Sequence, residues 1–159
     1  MSWWLIRHAH AGDRHSWGGT DAERPLSEKG WRQSTAIADA LMGGDDPITT
    51  DAVLLSSPVV RCIQTLSPLA ERLGTSVIQA GALLEGSQGA GVAEVLVAYG
   101  DRPVVLSSHG DVIPSLLDHL GSAGMVRSDD DRCQKASVWF VDTVEGAPVS
   151  AHYFPPPPL

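Results

Sequence analysis

Short apolar runs alternate along the chain with stretches of helical period, a pattern that predicts a parallel sheet with helices on both faces. The first strands read as Trp3–Ile6, Ala52–Ser56, Ser76–Gln79 and Val104–Ser107. Ser27 is a good N-cap for a helix that turns Trp31, Ala38, Leu41 and Met42 inward and stops at Gly43–Gly44. A second helix is expected to start at Pro58, where a missing N–H costs nothing, and to end at Gly74. Pro68 lies inside that pattern and predicts a kink, or a break with restart around Ser67. Further helices fit Val92–Tyr99, ended by Gly100, and Ile113–Leu120, ended by Gly121. Late in the chain ASVWFVDT and VSAHYF flank the turn-rich VEGAP, which predicts an antiparallel hairpin at the sheet edge.

The fold class expected is therefore α/β: a three-layer α/β/α sandwich whose mostly parallel central sheet ends in an antiparallel C-terminal edge strand. One domain is expected over residues 1–154, followed by a proline-rich tail, 155–159, that reads as extended and solvated. The polar stretches Gly12–Glu23, Gly86–Gly91 and Ser122–Arg132 read as long loops, which in compact domains are often functional.

Composition narrows the partners. A chain of 159 residues, 43% hydrophobic, can bury one ordinary core. Its formal net charge of -8 argues against a broad phosphate-backbone footprint, so nucleic acid is not an expected partner. Cys62 and Cys133 lie far apart and form no CxxC pair, which suggests neither a zinc knuckle nor a disulfide framework. No leader pattern opens the chain and no apolar run approaches the ~20 residues that span a bilayer. A soluble cytoplasmic protein with no membrane partner is expected.

The charged residues at strand ends carry the candidate chemistry. In a doubly wound sheet, ligands bind beyond the carboxyl ends of the strands. Arg7 and His8 follow the first strand, Arg61 lies early in the helix after the second, Glu85 in the loop after the third, and His109 behind the fourth. Two arginines and two histidines converging there would make a compact cationic pocket in an acidic protein, suited to a phosphate dianion. Arginine forks match phosphate oxygens, and a neutral imidazole, with an ordinary pKa of about 6.5, offers a lone pair to phosphorus.

At these residues the sequence resembles the histidine phosphatase superfamily, also called phosphoglycerate mutase-like, and within it the small SixA-type phosphohistidine phosphatases. The matching segments are LIRHAHAG, RPLSEKGWRQ, LLSSPVVRCIQTLSPLAERLG, LLEG and VVLSSHGDVI, from Leu5 to Ile113. The part from Ser122 onwards, with RCQKASVW, resembles the phosphatase domain that some Nudix hydrolases carry after their catalytic domain. The resemblance implies that His8 becomes phosphorylated, that Arg7 and Arg61 grip the phosphoryl group, that His109 donates to its oxygens, and that Glu85 stands where many members hold the general acid. The third residue of the usual RHG is here Ala9, a subfamily mark unless the backbone there demands glycine. Arg24 and Lys135 are further candidates for binding substrate.

The function this implies is a metal-independent phosphatase with no cofactor, acting on a phosphorylated protein or a small phosphorylated substrate. Phosphohistidine on a protein comes first, because little chain lies between Leu84 and Val104 to cover the pocket. A nucleotide or small phosphate ester is the alternative, and a non-catalytic phosphate-binding or relay module the reading from another class. A metal site built on His8, His10, Asp13 or His15 competes, but it would leave Arg7 and Arg61 beside a cation, and its usual barrel host needs about 250 residues. His10 and His15 are then rim residues, His119 a helix-surface residue and His152 a strand residue without a catalytic part. Trp17 either stacks on a ligand or closes its own loop onto the core.

Overall fold

The computed structural model describes residues 2–128 and 131–159. Strands and helices alternate as β1 (Ser2–Arg7), α1 (Glu28–Gly43), β2 (Val53–Ser56), α2 (Val60–Leu73), β3 (Val77–Gln79), α3 (Gly89–Val97), β4 (Val104–Ser108) and α4 (Val112–Ser122). Strands β5 (Val126–Arg127), β6 (Val138–Val144) and β7 (Ala147–Phe154) complete a seven-stranded sheet in the order β3-β2-β4-β1-β6-β7-β5. The left half, β3-β2-β4-β1, is parallel; β6 runs antiparallel to β1, and β7 to β6. This is the α/β sandwich that the alternation predicts.

Both faces of the parallel half are covered, so β2 and β4 are buried at every position. Trp3, Leu5, Val53, Leu55, Val104 and Leu106 pack toward α3 and α4. The alternate residues Ile6, Leu54 and Val105 pack toward α1 and α2. A one-residue slip would exchange these two sets, which pins the register of the central strands.

Several boundaries differ from the sequence expectation. Ser27 does cap α1, accepting from the Gly30 N–H, but Trp31 is exposed, and Gln33, Ser34, Ile37 and Ala38 form the inward face. Helix α2 begins two residues after Pro58 and runs unbroken through Pro68. One lost hydrogen bond does not outweigh the burial of Leu66, Leu69, Ala70 and Leu73 on a single face. Gly74 ends it in the left-handed region, φ 65°, as expected. Helix α3 starts three residues before Val92, and α4 runs past Gly121.

The hairpin forms about a Glu145–Gly146 turn with both φ positive, the geometry that suits tight antiparallel turns. Outside β7 lies the two-residue β5, which falls in the stretch read as a loop; residues 129 and 130 of that stretch lie outside the described residues. The tail is not simply solvated: Pro156 and Pro157 are half-buried, and Pro155, Pro157 and Pro158 wall a cavity with Trp4, Ile37 and Phe140. No helix among the described residues is long and apolar enough to cross a membrane.

Candidate active site

Strands β1 and β4 are neighbours in register, Arg7 opposite Ser108, so the residues that follow them leave the sheet side by side. His8 and His109 stand edge to face with ring centroids 5.6 Å apart. The turn after β2 supplies Ser57, whose N–H donates to the Ser107 carbonyl, and the first turn of α2 supplies Arg61. Of these, His8, His109 and Arg61 help to bound a cavity of about 380 Å³ at the carboxyl end of the sheet.

All seven residues singled out from the sequence, Arg7, His8, Arg24, Arg61, Glu85, His109 and Lys135, line this one cavity. The loop after β1 is clamped from several sides. The Ala9 N–H donates to Thr65 Oγ1, the His10 N–H to Gln33 Oε1, and the His10 carbonyl accepts from both the N–H and the hydroxyl of Ser27. A Cβ on Gly30 would lie 2.0 Å from that same carbonyl, so only glycine lets α1 approach so closely. Ala9 is fully buried and does not use the left-handed region, so alanine in place of glycine is accommodated there.

His8 is 5% exposed. Its Nδ1–H donates to the Ala9 carbonyl at 2.9 Å, which fixes the tautomer and leaves the lone pair on Nε2. Burial, helped by the charges of Arg61, His109 and Arg7 and opposed by that hydrogen bond, brings its pKa down to about 3. His109 is held by a 2.9 Å hydrogen bond between Nε2 and Ser57 Oγ, and burial, then Arg61, lowers its pKa too. Neither ring carries charge at neutral pH.

The arginines are held by acceptors that orient them. Arg61, 1% exposed, donates to the Asp21 carbonyl and to Asp21 Oδ2, at 2.9 and 3.1 Å. Arg24, also buried, donates to Asp21 Oδ1 and to the carbonyls of Ala11 and Gly12. Arg7 donates to the Cys133 carbonyl at 2.7 Å, and its guanidinium lies against Gly110, where a Cβ would come within 2.7 Å of Cζ. Burial alone would raise the Asp21 pKa, but Arg24, Arg61 and Arg14 outweigh it and hold the carboxyl below its usual range.

Three buried nitrogens on cavity residues, Arg7 Nε, Arg61 Nε and His109 Nδ1, have no hydrogen-bond partner in the structure. Buried polar atoms are rarely left unpaired in folded proteins, so such a concentration marks a place built for a ligand's acceptors.

Glu85 lies at the mouth, just over half exposed, 3.6 Å from the guanidinium of Arg14. His15 also lines the cavity, but His10 does not: its Nδ1 meets Ser27 Oγ at 2.6 Å and its ring borders a neighbouring space. No group of three His, Cys, Asp or Glu side chains among the described residues could hold a metal ion. Trp17 donates to the Thr20 carbonyl and packs on Gly19, closing its own loop while staying half-exposed.

Sequence reasoning missed Asp21, Arg14 and Ser57. Asp21, three residues before Arg24, carries a readable ion-pair spacing, whereas its reach to Arg61, forty positions away, has no local signal.

Comparison with known proteins places this geometry. Residues 3–92 match the family model described as histidine phosphatase superfamily (branch 1). An 8-oxo-(d)GTP phosphatase from Mycolicibacterium smegmatis is 32% identical over 158 aligned residues; the match covers 96% of this chain and 48% of the relative. The chain thus spans about half the length of that curated relative. Among solved structures, the protein histidine phosphatase SixA complexed with tungstate superposes with a TM-score of 0.76 at 21% identity, over 97% of this chain and 94% of that one. A putative phosphohistidine phosphatase SixA from Nakamurella multipartitia gives 0.71 at 23%, over 98% and 95%.

Proposed function

The chain belongs to the histidine phosphatase superfamily, branch 1, and on that premise we propose that it hydrolyses phosphoryl groups through a phosphohistidine formed on His8. The observation that carries this reading is the pairing of a neutral buried imidazole, its Nδ1–H fixed on a carbonyl, with three unpartnered nitrogens on Arg7, Arg61 and His109. In the first step the Nε2 lone pair of His8 attacks phosphorus and the bond to the leaving group breaks, its electron pair departing with that group. In the second, water attacks phosphorus, the P–N bond breaks, and inorganic phosphate leaves with the water's oxygen. Arg7, Arg61 and His109 carry the charge on the equatorial oxygens in both steps.

Glu85 bears on the substrate. Its carboxylate is exposed at the mouth and faces Arg14, and no contact among the described residues holds it over the buried groups of the cavity, so the proposed reaction is written without a proton from it. This favours leaving groups that need no proton from the enzyme: the imidazole of a phosphohistidine on a protein whose other ring nitrogen already carries a proton, or the phosphate of a nucleoside polyphosphate. The first reading is supported by the open mouth, since the chain between Leu84 and Val104 contributes only the nine-residue α3. The second is supported by the 32% identity to an 8-oxo-(d)GTP phosphatase across nearly the whole chain.

The test is phosphate release from p-nitrophenyl phosphate, a nucleoside diphosphate and a phosphohistidine protein, with and without EDTA, for wild type and His8→Ala. Many turnovers that survive EDTA, an acid-labile phosphoenzyme, and loss of both in the variant are expected. A single stoichiometric labelling would make this a relay module; activity lost to EDTA and restored by a divalent metal would overturn the mechanism.

A further inference from the structure

Next to the catalytic cavity lies a second one of about 610 Å³, and the two share Arg7 and Lys135 as a common wall. His10, Lys29, Gln33 and Gln134 line the far side. Apart from Leu159 with its α-carboxylate, no residue that lines it carries an acidic group, in a chain whose acidic residues outnumber its basic ones by nineteen to eleven. Neither Lys135 nor Lys29 has an ion-pair partner among the described residues.

The position of Lys135 is the telling feature. It is half-buried, and the charges around it are Arg7, Arg24, Arg61 and Arg14, with burial acting in the same direction, so its ammonium is held at a cost. Asp21 serves Arg14, Arg24 and Arg61, which leaves Lys135 and Arg7 without an aspartate or glutamate partner among the described residues on the side of the second cavity. His10 borders it with Nδ1 held against Ser27 Oγ, and Gln33 is held in turn by the His10 N–H. Cations massed without a counter-charge beside a phosphoryl site bind anions.

We infer that this second cavity is a subsite for a second phosphate of the substrate, adjoining the phosphoryl group attacked by His8, so that the preferred substrate is a phosphoanhydride of the nucleoside di- or triphosphate class. The inference rests on the phosphohydrolase reading above and narrows its substrate. His8 takes the terminal phosphoryl group; the P–O bond of the anhydride breaks, and the departing phosphate, already an anion, is held by Lys135, Lys29 and Arg7 without needing a proton. The half-buried Pro156 and Pro157 wall the same cavity and give the remainder of the substrate an aliphatic surface.

Two measurements test it. Pyrophosphate and orthophosphate are titrated calorimetrically into the full chain, and kcat/KM is compared for a nucleoside diphosphate and p-nitrophenyl phosphate in wild type, Lys29→Glu and Lys29→Arg. Lys29 is exposed, so the variants are expected to fold. Pyrophosphate should bind at least about tenfold more tightly than orthophosphate, the scale of one charge-assisted contact. Lys29→Glu should erase that advantage and cut the diphosphate-to-monoester ratio of kcat/KM by about tenfold, and Lys29→Arg should restore both. Equal binding of the two anions, or a ratio that ignores Lys29, overturns the subsite while leaving the His8 chemistry standing. Tight pyrophosphate binding without turnover of any substrate would overturn the phosphatase reading instead. A phosphohistidine protein that is turned over in preference to the diphosphate would also overturn the proposal.

Discussion

Two of the cavities that border β1 are built from opposite materials. One, about 490 Å³, lies between α1, the β6–β7 hairpin and the proline tail, and is walled by Trp4, Ile37, Phe140 and Pro155 among others. The other, about 380 Å³, holds Arg61, His8 and His109, all at most 5% exposed, together with Arg7. Burying the first set stabilises the fold at roughly 25 cal/mol per Å². Burying the second costs free energy, because the groups lose water and three of their nitrogens gain no partner. Similar volumes therefore carry opposite meanings: the apolar space is packing against the chain's own tail, and the polar one is sustained by the rest of the fold for use by a ligand.

The contrast is sharpest at Arg61. Arg61→Ala should lower kcat on p-nitrophenyl phosphate by about 10²–10³, the scale for one lost transition-state donor. Arg61→Lys should recover little, because a point charge lacks the fork and cannot span both Asp21 acceptors and the phosphoryl oxygens. A loss under about fivefold would reduce Arg61 to a structural partner of Asp21.

His8 should reveal the same cost through pH. A histidine held neutral in the fold takes up a proton on unfolding at any pH below its ordinary value near 6.5, so the unfolded state binds more protons there and stability rises with pH. With the folded pKa at about 3, this contribution is whole above about pH 6.5 and drains as pH falls toward 3. Between pH 7 and 4.5 that amounts to about 2.5 kcal/mol. As pH falls from about 7 to about 4.5, wild type should lose stability relative to His8→Gln, read as a lower denaturation midpoint for wild type against the variant than at neutral pH; parallel curves would deny the burial cost.

The apolar cavity should respond the other way. Ile37→Ala is expected to lose about 2 kcal/mol of stability, near the low end for such truncations because the neighbouring space already leaves part of the side chain without contacts. Its kcat should stay within twofold of wild type, measured beside a urea titration. A large loss of activity at unchanged stability would mean that the two cavities are coupled.

What could be read from sequence follows the same division. The central strands were legible because burial on both faces makes them continuous apolar runs, and Ser27 and Gly74 because caps are local chemistry. Arg7, His8, Arg61 and His109 were legible because strand ends are where such sheets gather ligands. Trp31 was misplaced because a large apolar residue in a helix suggests burial, whereas the face that approaches the His10 loop has room only for Gly30. Asp21 could not be seen gathering three arginines, since that depends on the loop after β1 folding across the start of α2. Tail packing escaped for a similar reason: it depends on where Trp4 and Phe140 face, and no proline run encodes that.

The smallest effect tests how Lys135 is held. Ala136, fully buried, sits at φ 66°, a region that L-residues enter at a cost of roughly 1–2 kcal/mol, and its N–H lies 3.0 Å from the Arg7 carbonyl and 3.3 Å from that of His8. That bond ties the Lys135 turn to the strand end bearing His8. Ala136→Gly removes the strain but adds about 0.5–1 kcal/mol of backbone entropy to the unfolded chain, so the net gain in stability should be under about 1 kcal/mol. KM for a charged substrate should rise modestly as the turn loosens, with kcat unchanged, since none of the groups around phosphorus has moved. If the glycine variant is instead less stable by more than about 1 kcal/mol, strain at Ala136 is not what the fold sustains there, and the rigidity of the Lys135 wall must come from the Gln134 and Ser137 hydrogen bonds on either side.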